Sequence, residues 1–321
     1  VNRRTFLGIA AAFAALDIDM SAQTTPIPII DTHIHLFDPR RPQGIPWPPK
    51  DDTKLYKPAL PDRYLKVTEG QGVVGAIEVE CSPWLEDNQW VLDIAANAPV
   101  IVGTVGDLEP EKPDFRKQLE RFHRNPLFRG IRCGNLWDRN FSRRLENPDF
   151  VHGLKELAAA GLEMDTANPS PELIAAVVRL TDLVSNLRVV IDHLPQMQEP
   201  TDPKAKKEVE FHLQELGKRP QVYVKVSEVL RRVDGRLRLE LDFYKPTLDR
   251  LWDIFGEDRL IYGSDWPNSD HIETYPQELA LVREYVLGKG RPAAEKVFWK
   301  NSVAAYRWIK RDPKQPDPAT A

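Results

Sequence analysis

The chain has 321 residues, 41% of them hydrophobic and 29% charged, with 44 basic against 48 acidic side chains and a formal net charge of −4. That balance and a pI of about 6.0 exclude the basic footprint of a nucleic-acid binder, and the apolar content excludes a disordered or collagen-like chain. Two cysteines are too few for a disulfide scaffold or a four-thiolate zinc site. No run of about 18 apolar residues is present to span a bilayer.

Residues 2–16 read NRRTFLGIAAAFAAL, in which Arg3 and Arg4 precede an apolar stretch from Phe6 to Leu16. The stretch is short for a membrane span and suited to the core of a signal peptide. The order Arg-Arg-x-Phe-Leu resembles a twin-arginine export signal. That resemblance implies cleavage after Ala22, use of the twin-arginine export machinery and a periplasmic protein. An amphipathic helix docked on the domain is the alternative for residues 1–22. Cys81 and Cys133 each end a predicted strand and are expected as buried free thiols.

Past residue 26, short β-branched runs alternate with amphipathic helical stretches. The predicted strands are 28–33, 74–81, 100–105, 128–133, 162–166, 188–193, 221–227 and 259–265. Between them 86–97, 147–160 and 171–186 read as helices. The last carries Leu173, Ala176, Val177, Leu180 and Val184 at three- and four-residue spacing behind Pro171. Strands alternating with helices imply a parallel sheet, and eight such units close into an α/β (β/α)8 TIM barrel. A single domain is expected over 27–310, followed by a flexible tail at 311–321. The Pro-rich stretch 37–60 is long for a loop, which marks it as a lid or binding loop with Trp47 and Tyr56 as its aromatic cover. Pinning of the loop is the plainer role for the same two rings.

In this barrel class the functional groups sit where strands end. Those ends hold His33, His35, Glu80, Arg132, His193, Ser227 and Asp265. A lone strand-end histidine is more often a satisfied core side chain than a ligand. His33 and His35, however, are two apart and share one strand face. Closure puts the first and last strands side by side, so Asp265 in the run GSDWP meets them. Two imidazoles and a carboxylate facing one another grip a divalent cation or bracket a carbonyl oxygen.

The runs IIDTHIHLFDP, RGIRCG, VVIDHLP and LIYGSDWP, in this order, resemble the amidohydrolase superfamily. The resemblance is closest to its branch of L-fuconolactonase, L-rhamnonolactonase and 2-pyrone-4,6-dicarboxylate lactonase, and it covers Ile29 to about Trp308. It implies a hydrolase that opens a sugar-acid or dicarboxylate lactone. Asp265 would be the base that takes a proton from the attacking water. His33, His35 and His193 would surround the scissile carbonyl, directly or through a metal, and Arg132 would hold a substrate carboxylate or ring oxygen. Many metal-dependent relatives carry a carboxylated lysine where Arg132 ends the fourth strand, so no binuclear centre is expected. The fifth strand end, EMDTANPSP, offers Asp165 and Asn168 but no histidine. One divalent ion, zinc by donor preference, would draw on His33, His35, Glu80, His193 and Asp265; metal-independent chemistry stays open beside it.

Trp47, Ser227 and Arg231 join Arg132 as expected substrate-binding residues, with a solvated charge run as the equal alternative for Arg231 and Arg232. Glu78 and Glu80 are expected to face the barrel interior, Glu78 paired with Lys225. His271 is expected at the surface, and His123, His152 and His212 have no assigned role. Three activities are compatible with the constellation: a lactone-opening hydrolase, a metal-dependent decarboxylase of an aromatic acid, and an exported sugar-acid binding protein without turnover. Retention of His33, His35 and Asp265 together speaks against the last, and the missing fifth-strand histidine against the second.

Overall fold

The computed structural model describes residues 26–167, 169–194 and 200–321. The expected export segment and Asn168 lie outside them. Eight parallel strands form one sheet in chain order. They are β1 (Ile29–Ile34), β2 (Val73–Val79), β3 (Ile101–Gly106), β4 (Phe128–Arg132), β5 (Glu163–Asp165), β6 (Arg188–Ile191), β7 (Val222–Val226) and β10 (Leu260–Tyr262). A small hairpin, β8 (Arg232–Val233) with β9 (Arg236–Leu237), is inserted before β10. The His35 amide donates to the Trp266 carbonyl at 2.8 Å and the Thr32 hydroxyl to the Tyr262 carbonyl at 2.7 Å, so the last strand returns to the first. The result is the (β/α)8 barrel read from the alternation, each predicted strand present and most of them shortened at the ends.

The helices between strands start where local chemistry starts them. Asn147 caps α1 (Pro148–Ala159), Ser170 caps α2 (Pro171–Leu183) and Asp202 caps α3 (Pro203–Gly217), each accepting a first-turn amide ahead of a proline. Strand alternation then sorts the core into two layers. Ala76, Ile131, Met164, Val189, Val222, Val224 and Val226 pack outward with the helices. Ile30, Ile77, Val79, Val102, Val190, Tyr223 and Ile261 form a second cluster within the barrel, closed below by Trp299, Tyr306 and Trp308.

One irregularity positions the site. Asp31 pairs with Ala76 and Ile34 with Glu78, so three steps along β1 match two along β2. This is a β-bulge. Ahead of it Asp31 turns outward and accepts from the hydroxyls of Tyr64, Ser264 and Tyr275 at 2.9, 2.6 and 3.0 Å. After it Ile34 is outward again and His33 and His35 point inward. Glu78, opposite Ile34, therefore also faces outward. It lines a cavity under the 37–60 loop with Trp47, Asn88 and Val91. The expected inward Glu78–Lys225 pair is thus corrected, because Glu78 sits on the other face of its strand and Lys225 pairs with Asp165 and Asp192.

A second correction concerns residues 311–321, expected as a flexible tail. Arg311 donates to the carbonyls of Ala95, Ala96, Ala98 and Ile101 at 2.5–3.1 Å. Buried Gln315 donates to those of Val74 and Pro99. Carbonyls at the start of β2 and β3 need donors, and this segment supplies them.

Candidate active site

The C-terminal ends of the strands bring most of the expected residues together. Asp265 Oδ1 lies 3.1 Å from His35 Nε2 and 3.3 Å from His33 Nε2, and its Oδ2 accepts from Asn268 at 2.7 Å. The His33 ring centroid is 4.9 Å from that of His35 and 4.8 Å from that of His193. His193 Nδ1 bonds Ser227 Oγ at 2.9 Å. All five expected residues are buried. Asp265, His193 and the adjoining Glu228 have left-handed backbones, with φ of 56°, 64° and 51°.

Electrostatics fix the protonation states. Burial alone would raise the Asp265 carboxyl, but the charge of His193 and the hydrogen bond from His35 override it and hold the group well below the usual carboxylate range. Asp265 is thus an ionised carboxylate. Burial, and then the Lys225 charge, push His33 well below its ordinary value, so it is neutral. Glu80 is pushed up to about 8 by burial and by Asp107, and is neutral at pH 7.

The remaining expected residues divide. Trp47 stands edge-on to His35 at 5.6 Å, so the 37–60 loop does cover the site. The loop is strapped across the mouth: Arg41 pairs with Asp87 on one side, and Asp52 with half-exposed His271 on the other. Arg132 Nε lies 2.9 Å from Asp192 Oδ2, and its Nη1 donates to the Glu80 carbonyl at 3.3 Å. Glu80 turns its carboxyl to the Ser82 amide and the Trp137 indole, and it stays outside the groups of clustered ligand atoms. Arg231 is placed at the foot of the hairpin, where its amide bonds the Tyr244 hydroxyl; none of its described contacts reaches the imidazoles. Cys81 and Cys133 are buried free thiols, as expected.

Sequence reasoning missed the layer beneath. Lys225 Nζ lies 2.5 Å from Asp165 Oδ2 and 2.8 Å from Asp192 Oδ1, with all three side chains fully buried. Tyr306 donates to Asp165 from below at 2.9 Å. The signal was present: Tyr223, Lys225 and Ser227 share one face of β7, and a lysine on an interior face must be paired. Asn268, opening a short 3-10 turn, and Glu228, on a loop, carried no such signal.

Among the described residues, two sets of side chains could hold a divalent ion. The ligand atoms of His33, His35 and Asp265 lie within 4.8 Å of one another, and so do those of His193, Glu228 and Asp265. Imidazole nitrogens with carboxylate oxygen, three ligands and an open position, suit a zinc-type ion. His35 is the best prepared, because its Nδ1 is held by the Val79 carbonyl at 2.7 Å while Nε2 faces Asp265.

The chain matches known proteins over most of its length. The family model described as amidohydrolase matches residues 30–308. The chain is 28% identical over 287 residues to an L-fucono-1,5-lactonase from Burkholderia ambifaria, covering 87% of this chain and 95% of that protein. Among solved structures it is similar to an amidohydrolase from Burkholderia multivorans with bound zinc, at 22% identity and a TM-score of 0.76, covering 88% of this chain and all of that one. It is also similar to a probable 2-pyrone-4,6-dicarboxylic acid hydrolase from Acinetobacter baumannii with citric acid bound, at 18% identity and a TM-score of 0.68, covering 86% and 98%.

Proposed function

The chain belongs to the amidohydrolase family, and from that premise we propose that it hydrolyses the ester of a cyclic sugar-acid lactone, a 1,5-lactone first among candidates. The observation that carries the reading is Asp265, an ionised carboxylate oriented by Asn268 and His35 beside three imidazoles at the barrel mouth. The L-fucono-1,5-lactonase relative supports the substrate class.

The chemistry follows from the atoms present. Water held at Asp265 loses a proton to the carboxylate as its oxygen attacks the ester carbonyl. The imidazoles of His33, His35 and His193 surround the carbonyl oxygen and stabilise the tetrahedral oxyanion. Collapse breaks the ring C–O bond, and Asp265 returns the proton to the leaving alkoxide, giving a hydroxy acid. A general base contributes roughly 10²–10⁴-fold, enough for an ester that is already activated by its ring. A divalent ion, where bound, would be held by Asp265 with one of the two imidazole sets and would supply Lewis-acid polarisation and a more acidic water. Arg132, held by Asp192, is positioned to meet an anionic or ring oxygen, and Trp47 to cover the sugar face.

The test is proton release on a panel of aldono-1,4- and 1,5-lactones and pyrone dicarboxylates, with and without chelator. We expect turnover on 1,5-lactones, and Asp265→Asn is expected to lower kcat by about 10²-fold or more in a folded protein. Folded wild-type protein that opens no lactone, or a variant of near-normal rate, overturns the reading. Carbon dioxide release from a hydroxybenzoate would instead favour decarboxylation.

A further inference from the structure

We propose that Lys225 fixes His33 in the tautomer that carries its proton on Nε2. This makes His33 a hydrogen-bond donor at the carbonyl and takes it out of the metal-ligating set. The inference leans on the lactone reading only for which oxygen that donor meets.

Lys225 stands on the inward face of β7, fully buried, with Nζ 2.5 Å from Asp165 Oδ2, 2.8 Å from Asp192 Oδ1 and 3.1 Å from His33 Nδ1. An ammonium has three protons and no lone pair, so its hydrogen bonds to Asp165 and His33 are both donations, while its contact with Asp192 is an ion pair. The second of them ends on a lone pair at His33 Nδ1. A neutral imidazole that accepts at Nδ1 carries its proton at Nε2.

The competing tautomer would place the proton on Nδ1 and donate it to Asp192 Oδ1. That distance is 3.5 Å, longer than the 3.1 Å to Lys225. The charge of Asp192 is moreover already balanced by ion pairs with Lys225 and, on its other oxygen, with Arg132 Nε at 2.9 Å. Lys225 would have to surrender His33 as an acceptor for the proton to move. The geometry therefore favours Nε2–H.

His33 Nε2 is buried and has no hydrogen-bond partner among the described residues, although Asp265 Oδ1 is only 3.3 Å away. A buried donor left unmatched costs stability unless something is bound to it. A carbonyl oxygen entering beside Asp265 supplies the match. His35 is held from its other nitrogen: the Val79 carbonyl can only accept, so His35 Nδ1 donates to it. An ion drawn to Asp265 then finds an imidazole in His193, on the side of Glu228.

The tautomer is read directly from nitrogen NMR of the full chain labelled at histidine, with His33 assigned by the signals lost in His33→Asn. We expect His33 to show a protonated Nε2 and a bare Nδ1, both before and after stoichiometric zinc. A proton on Nδ1, or loss of the Nε2 proton when zinc is added, overturns the proposal. In Lys225→Met the His33 proton should move to Nδ1, toward Asp192, and zinc should bind about tenfold or more tightly. A variant that keeps Nε2–H overturns it as well; if the variant does not fold, the wild-type spectrum decides. These spectra need no substrate, so failure of the lactone reading and failure of the tautomer assignment are separate results.

Discussion

Glu228 holds a left-handed backbone that glycine adopts freely and glutamate does not, φ 51°. Such strain at a strand end costs about 1–3 kcal/mol and persists where the residue is useful. Glu228→Gly is expected to stabilise the protein by about 1 kcal/mol while weakening zinc binding, checked by thermal melting and by metal titration. A variant both less stable and equally zinc-binding would deny Glu228 its ligand role. Glu80 supplies a pH signature. Burial and Asp107 raise it from 4.5 to about 8, so between those values the folded protein keeps a proton that the unfolded chain has released. Stability from this group therefore falls as pH rises through that window and levels off above it. Glu80→Gln should gain stability over wild type across the same window and hold the gain above it. Melting curves that run parallel at all pH values would show that Glu80 is not the proton-holding group.

At the level of elements, β10 approaches β1 so closely that a Cβ at Gly263 would lie 2.8 Å from His33 Cβ. Gly263→Ala must displace His33 or separate the strands. We expect a stability loss of about 1–3 kcal/mol and a fall in kcat of about tenfold or more, read by melting and initial rates. Unchanged kcat would mean that His33 need not sit where it does. The same junction shows what the sequence could reveal. The alternation of strand and helix is visible because it is periodic, and His33, His35, His193 and Asp265 because strand ends are where this architecture keeps chemistry. The β1 bulge is not periodic. Plain alternation would put Asp31 on the face of His33, and the structure sends it outward to Tyr64, Ser264 and Tyr275. The Glu78 assignment failed for a related reason: inwardness on β2 belongs to Ile77 and Val79. Asn268 and Glu228 were illegible because the short 3-10 turn and the loop that carry them have no register to count along.

Across the whole molecule, the barrel is finished by its last residues. Arg311 and Gln315 satisfy carbonyls at or beside the starts of β2 and β3. Removing residues 311–321 forfeits these bonds and should cost about 3 kcal/mol or more at about 1 kcal/mol per bond, measured by chemical denaturation. A truncated chain as stable as the full one would make this docking incidental. The docking also imposes an order in time. During synthesis, the first three strands emerge long before Ser264, Tyr275 and Arg311, the groups that Asp31 and the β3 carbonyls depend on. The early half of the chain must wait on the ribosome for the late half. Its exposed strand edges in that interval are where the nascent protein is most open to aggregation and most in need of a chaperone.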